Sequence, residues 1–541
     1  MTFCTVLLCF TGAWIKFLNR ILEGFCLMAS AGDNSLPEAL YSADSVQAID
    51  RYVIDQQGVP GFELMQSAAR AAFRRLVRQW PEASTVLVLC GAGNNGGDGY
   101  LVAANARRHG IEACCVSVAP VEKLQGDARR AWQKARTDDV TVKALDSLSP
   151  DSLAARMAQA DVVVDAMLGT GVAGAPREPF AEVIRACNRS GRPVLAIDLP
   201  SGLNATTGAA AGEVIRADGT ITFIALKAGL FTGRGPDCVG RLTFDDLDTA
   251  DRVPDSGQRP VASRVDWRQM ARRIPPRSRS AHKGAFGHVV VIAGNRGYGG
   301  AGLLAAEAAA RSGAGLVTLA THPDHVAAAL ARCPSLMVRG VSHGNELDEL
   351  LDKASSVVCG PGLGQDAWAR QMLRKVLDTD VDCVLDADAL NLLAALGINP
   401  GARFALTPHP GEAARLLGSN VAELEKDRLS AAGQLSGRTG SLVLLKGAGS
   451  VVSDGRDRWV VAGSNPGMAT GGMGDVLSGI IGGLAGQVDG LLTAVLAGAA
   501  LHLAAADYAS RSKGYMGLLP MDVIEALPAV LARQEALVCQ P

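Results

Sequence analysis

Aromatic side chains make up only 4% of these 541 residues, and 52 Lys and Arg against 54 Asp and Glu leave a formal net charge of −2. A chain so close to neutral carries no extended field for a nucleic acid or an anionic membrane, and neither is expected as a partner. Metal- and redox-type cysteine spacing is missing. None of the twelve cysteines stands in a C-x-x-C pair, and the one tight pair, Cys114 and Cys115, is adjacent, which is poor disulfide geometry. None of the eight histidines falls in an H-E-x-x-H pattern. No zinc site or disulfide framework is therefore expected, and a reducing, cytoplasmic compartment fits. Long apolar runs are also scarce. Residues 491–510 come nearest, at the lower limit for a membrane span, but their many small residues and His502 favour a buried core helix.

What the chain does have is 48% hydrophobic residues and 62 glycines, which excludes disorder and suits parallel α/β units with glycine-rich loops. Residues 1–15 are mostly apolar and are followed by Lys16 and Arg20, the reverse of the charge order in a secretory signal. Residues 1–38 are expected to be an extension, with Met28 as the true start. From Thr85 onward, apolar strands alternate with helical stretches: T-V-L-V-L-C (85–90), D-V-V-V-D-A (161–166) and P-V-L-A-I-D (193–198). Two helices, 43–56 and 63–80, precede them. Between 251 and 275, Pro, Ser and Arg dominate and little can be buried, so a linker is expected there. A second α/β unit follows, with strands at 287–294, 355–360, 382–388 and 441–447. No short internal repeat relates the halves.

The first chemical signal is G-A-G-N-N-G-G-D-G (91–99), set between a strand and a helix. Backbone N–H groups at such a helix start favour phosphate. No Gly-Lys-Ser/Thr follows, which excludes a Walker A loop. The next strand ends at Ala119-Pro120 without the acid that a ribose would need, so a standard nicotinamide dehydrogenase is the runner-up for this half. Asp165 and Asp198 end two later strands. C-terminal strand ends converge in an open parallel sheet, so Asn95, Asp165, Asp198 and Ser201 are expected at one edge. Oxygen ligands of that kind suit a hard cation, and spacing alone leaves potassium, magnesium or none open.

N-N-G-G-D-G (94–99), V-D-A-M-L-G-T-G (164–171) and D-L-P-S-G-L (198–203) make residues 39–250 resemble the NAD(P)H-hydrate epimerase family. The resemblance implies a Rossmann-like αβα sandwich. It implies substrate contacts at Asn94, Asn95, Gly96, Gly97 and Asp98, at Gly169, Thr170, Gly171, Val172, Ala173, Gly174 and Ala175, and at Asp198. It also implies a potassium ion on Asn95, Asp165 and Ser201. The family often has Glu and Asn after L-M in the leading helix, where this chain has Gln66 and Ser67. Hydration places a hydroxyl on the carbon beside the ring nitrogen, and Asp198 is the expected acid–base for inverting that centre, by ring opening or by loss of hydroxide.

The second half carries G-P-G-L-G (360–364), D-A-D-A-L-N (386–391), L-T-P-H-P-G-E (406–412), L-K-G-A-G-S (445–450) and N-P-G-M-A-T-G-G-M-G-D (465–475). The last opens a long helix, giving an anion hole with Asp475 beside it. A hole for the moving phosphate and a carboxylate for the hydroxyl proton are what phosphoryl transfer requires. With T-P-H-P-G-E and G-G-M-G-D, residues 276–541 resemble the ADP- or ATP-dependent NAD(P)H-hydrate dehydratases, a ribokinase-like α/β fold. By that resemblance Ala301, Gly362, His409 and Asp475 contact the hydrate. Lys446, Gly447, Ala448, Gly449, Ser450 and Gly474 contact the nucleotide, with ADP and magnesium as expected co-reactants. The expected substrates are hydrated NADH and NADPH (NADHX and NADPHX), and the expected assembly is a homo-oligomer. The alternative is a ribokinase-like small-molecule kinase fused to a Rossmann-like binding module; a non-catalytic N-terminal scaffold is a third reading.

Overall fold

Aliphatic runs bounded by Gly, Asp or Pro fold here as buried strands, and alternate residues of each run cover opposite faces. The computed structural model describes residues 36–171 and 174–538, the last five by backbone alone. The expected start at Met28, most of the extension around it, and Val172 and Ala173 lie outside the described residues.

The first sheet has seven strands, all parallel, in the order Thr141–Ala144, Glu112–Ser117, Thr85–Cys90, Val162–Ala166, Val194–Ile197, Gly219–Phe223, Arg241–Asp245. Val86, Val88 and Cys90 face the helices Gly61–Gln79 and Asn94–Arg108, whereas Leu87 and Leu89 face Pro150–Gln159 and Phe180–Arg189. The order reverses between Thr85–Cys90 and Val162–Ala166. A crevice opens at such a reversal because the following loops leave in opposite directions.

The second sheet has twelve strands. Its parallel part runs Met337–Gly340, Leu316–Thr321, His288–Ile292, Ser356–Cys359, Cys383–Leu385, Phe404–Leu406, Leu442–Leu445. The reversal falls between His288–Ile292 and Ser356–Cys359. Val451–Ser453 and Arg458–Val461 continue the sheet antiparallel. Then come Ala262–Val265, Ala39–Tyr41 and Leu226–Lys227.

That edge departs from the sequence reading. The stretch expected as a linker holds the strand Ala262–Val265, in which Ala262 and Val265 are buried, and the capped turn of helix Trp267–Ala271. Four residues between prolines and arginines are too few to stand out by periodicity, yet they sit between Arg458–Val461 and Ala39–Tyr41. Residues 39–541 form one compact unit. The helix Leu491–Lys513 is long and apolar enough to cross a membrane, but 61% of its most apolar window is buried inside the fold. His502 is buried there, with Nε2 unpartnered among the described residues.

Candidate functional sites

At the first reversal, a cleft of about 630 Å³ is lined by Asn94, Asn95, Asp98, Gly169, Thr170, Gly171 and Asp198 among others. Gly91 makes the entrance possible. Its N–H donates to the Ala166 carbonyl (3.0 Å), and a β-carbon there would stand 1.8 Å from the Met167 carbonyl oxygen. Asn94 begins the helix Asn94–Arg108, whose first-turn N–H groups have no partner within the helix, and that turn lines the cleft. Gly96 and Gly97 do not line it. They let the helix pack against the Gly91 carbonyl and against Met65 and Ala128. Gly174 and Ala175 also lie away from the lining, Ala175 against Gly212.

Behind the wall, Asp165 accepts from Ser201 Oγ (2.6 Å), the Ser201 N–H (2.8 Å) and the Met167 N–H (3.2 Å). Burial outweighs these bonds and pushes its pKa up to about 6. Asn95 Nδ2 donates to the Leu168 carbonyl (3.0 Å), and Leu168 N–H donates to Ser201 Oγ (2.9 Å). Asn95 Oδ1 is buried with no partner among the described residues. The three residues expected to hold a cation are thus joined through the 166–168 backbone.

Asp198 ends its strand at φ +66°, in the left-handed region. Its Oδ1 accepts from Lys227 Nζ, Thr222 Oγ1 (3.2 Å) and the Phe223 N–H (3.4 Å). Three further carboxyls, of Asp50, Asp98 and Asp127, line the cleft. Burial, followed by the charges of Asp198 and Asp50, lifts the pKa of Asp98 well above the ordinary range. Asp50 is pushed up to about 6, again chiefly by burial. The sequence reading missed Asp50 and Lys227. The available signal was a lone charge within apolar surroundings, as in I-T-F-I-A-L-K-A-G-L-F (221–231). The strand end where the runner-up dehydrogenase reading would need an acid is self-contained: Tyr100 donates to Ser117 Oγ (2.9 Å), which donates to the Ala119 carbonyl (2.7 Å).

At the second reversal, Gly294 and Asn295 N–H groups donate to the Pro361 and Gly362 carbonyls. A β-carbon on Gly362 would lie 3.1 Å from that of Ala301, so these two expected substrate contacts adjoin. Lys446 Nζ donates to Asp386 Oδ1 (2.7 Å). Between Asp386 and Asp388, Ala387 is held at φ +47°, a strained backbone of the kind that collects at functional sites. Gly474 faces this pair: its β-carbon position is 3.1 Å from Lys446 Nζ and 3.4 Å from Asp386 Oδ2.

Asp475 lies in the first turn of Met473–Ala485. Burial, then the Asp386 charge, pushes its pKa up to about 7. His409 caps Pro410–Leu417: its Nδ1 accepts from the Gly411 and Glu412 N–H groups (3.0 and 3.4 Å), and Glu412 Oε2 accepts from the His409 N–H (2.8 Å). Burial, then the Lys446 charge, lowers the His409 pKa. Glu412 is pushed up to about 7 by burial, with Lys446 opposing. For Lys446 itself, burial is outweighed by Asp386 and Glu412, and its pKa is raised. Asp386 and Glu412 stood in the quoted motifs without an assigned role. In the 446–450 loop, Arg428 donates to the Leu445 and Lys446 carbonyls, and Ser450 Oγ donates to the Gly447 carbonyl (3.0 Å). Gly449 is packed against Phe231 and Thr232.

Over 494 residues the chain is 42% identical to the bifunctional NAD(P)H-hydrate repair enzyme of Coxiella burnetii, covering 90% of this chain and 98% of that one. The chain belongs to the bifunctional NAD(P)H-hydrate repair enzyme family. The repair enzyme of Escherichia coli strain K12 is 43% identical over 503 residues, covering 92% of this chain and 95% of its own. The profile described as NAD(P)H-hydrate dehydratase matches residues 289–529, and that described as YjeF-related protein N-terminus matches 61–229. The ADP/ATP-dependent NAD(P)H-hydrate dehydratase of Bacillus subtilis, crystallised with ATP and Mg2+, is similar at 28% identity over 50% of this chain and 99% of its own, with a TM-score of 0.45. Membership of the repair family sets aside the small-molecule kinase alternative.

A carboxylate that accepts a proton must be ionised, so with Asp475 as the acceptor dehydration kcat/KM is expected to rise through about pH 7 and fall about tenfold per unit well below it. The stability sign is opposite. Carboxyls with raised pKa keep protons that the unfolded chain has lost above about pH 4, so their contribution falls as pH rises towards 7. Rate and melting profiles from pH 5 to 9 check both.

Proposed function

We propose that residues 39–250 interconvert the R and S forms of NADHX and NADPHX, and that residues 276–541 dehydrate the S form to NADH or NADPH at the expense of ADP. The observation that carries the reading is the match to repair enzymes along 90% of the chain, spanning both crevices. The reading also takes the protein to be cytoplasmic and homo-oligomeric.

In the first cleft, either epimerisation route needs a proton moved off and on the hydroxyl. Asp198 accepts it and the protonated Asp98 supplies one, a division of labour that rests on their different surroundings. Potassium would be held by Asn95, Asp165 and Ser201. The orphaned Asn95 Oδ1, with the bonded Asp165 carboxylate and Ser201 hydroxyl, makes an all-oxygen donor set that fits a hard cation. Its chemistry would be to neutralise Asp165 and fix the 166–171 loop. Asp165→Ala is expected to lower epimerisation by at least about 10- to 100-fold and to remove its response to added potassium. A variant that keeps both overturns the cation assignment.

In the second site, Asp475 takes the ring hydroxyl proton as that oxygen attacks the terminal phosphorus of ADP, releasing AMP. The ring nitrogen lone pair then expels phosphate, and loss of a proton from the adjacent carbon restores the double bond. Hydrate and ADP thus become dihydronicotinamide, AMP and phosphate. Lys446 and the N–H groups at Gly472–Gly474 hold the phosphates. No group of three or more His, Cys, Asp or Glu fit for a metal occurs among the described residues. Magnesium would therefore be held mainly by the nucleotide phosphates with a carboxylate of Asp386, Glu412 or Asp475, and would neutralise their charge. The test is to supply purified NADHX epimers with ADP and magnesium. Recovery of 340 nm absorbance from both epimers supports the reading; recovery from the S form alone removes the epimerase half.

A further inference from the structure

We propose that Lys227 is the positioning residue of the epimerase half, holding the Asp198 carboxylate in its reactive placement from the edge strand of the second sheet. This rests on Asp198 being the proton acceptor. Lys227 is 1% exposed and stands in the cleft wall. Its ammonium has three donors, and all three are spent, on Asp198 Oδ1, Thr222 Oγ1 (3.0 Å) and the Phe223 carbonyl (3.1 Å). None is left for a substrate, so its action passes through Asp198.

Asp198 shows the effect. Oδ1 is saturated by three donors, whereas Oδ2 carries no hydrogen bond among the described residues, and the side chain is 20% exposed. One oxygen is anchored and the other is left for a proton. A non-glycine residue at φ +66° persists only where its surroundings over-determine it. Charge points the same way. The lining includes Asp50, Asp98, Asp127 and Asp198, and Lys227 is its one basic side chain among the described residues. Without that ammonium, the anchored carboxylate would be buried beside other acids with no counter-charge.

The placement of Lys227 is not set by the first sheet alone. Leu226–Lys227 pairs with Ala39–Tyr41, which pairs with Ala262–Val265 in the second sheet. Five residues on, Thr232 Oγ1 donates to the Gly449 carbonyl (3.0 Å). The epimerase acid–base is thus steadied by the dehydratase half.

The experiment uses the full chain with NADHX epimer exchange. Lys227→Met, nearly isosteric, is expected to lower epimerisation kcat by about 100-fold with KM within about threefold. Lys227→Arg should recover at least about tenfold of that loss, because it restores the charge. Thr222→Val, which removes one donor to Asp198 and one acceptor of Lys227, should lower kcat about three- to tenfold and serves if Lys227→Met does not fold. An unchanged kcat in Lys227→Met beside an inactive Asp198→Asn overturns the role of Lys227 alone. Arginine no better than methionine, or a loss confined to KM, also overturns it. An Asp198→Asn that epimerises normally removes the reading of Asp198 instead.

Discussion

Asp475→Asn is expected to lower ADP-dependent dehydration by about 100- to 10,000-fold, the usual worth of a general base. The amide keeps the shape of the carboxylate but cannot take the hydroxyl proton. Folding should survive, because Asp475 sits where burial and the Asp386 charge already disfavour its ionised form. Nucleotide affinity should change little or improve slightly: in the proposed mechanism the phosphates are held by backbone N–H groups and Lys446, and a nearby negative charge is gone. Epimerisation should be unaffected, since Asp198, Lys227 and Asp98 line the other cleft. Return of 340 nm absorbance and epimer exchange on one preparation decide the matter. Dehydration within a few-fold of wild type would leave the phosphoryl-transfer mechanism without its base.

Gly449→Ala is expected to damage both halves at once. Gly449 has φ +62°, and a β-carbon there would lie 1.8 Å from the Phe231 carbonyl oxygen and 2.8 Å from Thr232 Cα. Both obstacles are backbone, so no rotamer relieves them. Left-handed strain and overpacking together should destabilise the junction by about 2–6 kcal/mol. The displaced Phe231 is four residues from Lys227, and Gly449 lies in the loop that begins at Lys446. The unfolding midpoint should fall, with loss of both epimer exchange and dehydration. A variant that melts and turns over like wild type would show that 228–232 and 446–450 do not constrain each other.

Much of each site was legible because its residues sit in short motifs at strand ends. Strand termini can be read from aliphatic runs, and a parallel sheet brings its C-terminal ends to one edge. That reasoning reached Asn95, Asp165, Asp198 and Ser201, which the fold places around one cleft and the wall behind it. The glycine-rich helix start pointed to Asp475, whereas Ala301, Gly362 and Lys446 came only from the family resemblance; the fold sets Ala301 beside Gly362 and Lys446 near Asp475. The resemblance implied substrate contact at Gly96 and Gly97, where the lack of a side chain also serves helix packing. A glycine required by a neighbouring carbonyl and one required by a ligand look alike in sequence.

The sequence by itself determined the two α/β halves, the glycine-rich helix starts and the acids that end the strands, because these follow from local periodicity and from residue types with few other uses. Tertiary structure alone decided the partnerships. Lys227 meets Asp198 across 29 positions, Lys446 meets Asp386 across 60, and Thr232 meets Gly449 across 217. Such pairings depend on strand order. Order at this edge is set by strands of two, three and four residues, Leu226–Lys227, Ala39–Tyr41 and Ala262–Val265. Strands that short have no period to read. They are strands because a longer neighbour offers a row of unpaired N–H and C=O groups, and only the folded sheet supplies that neighbour.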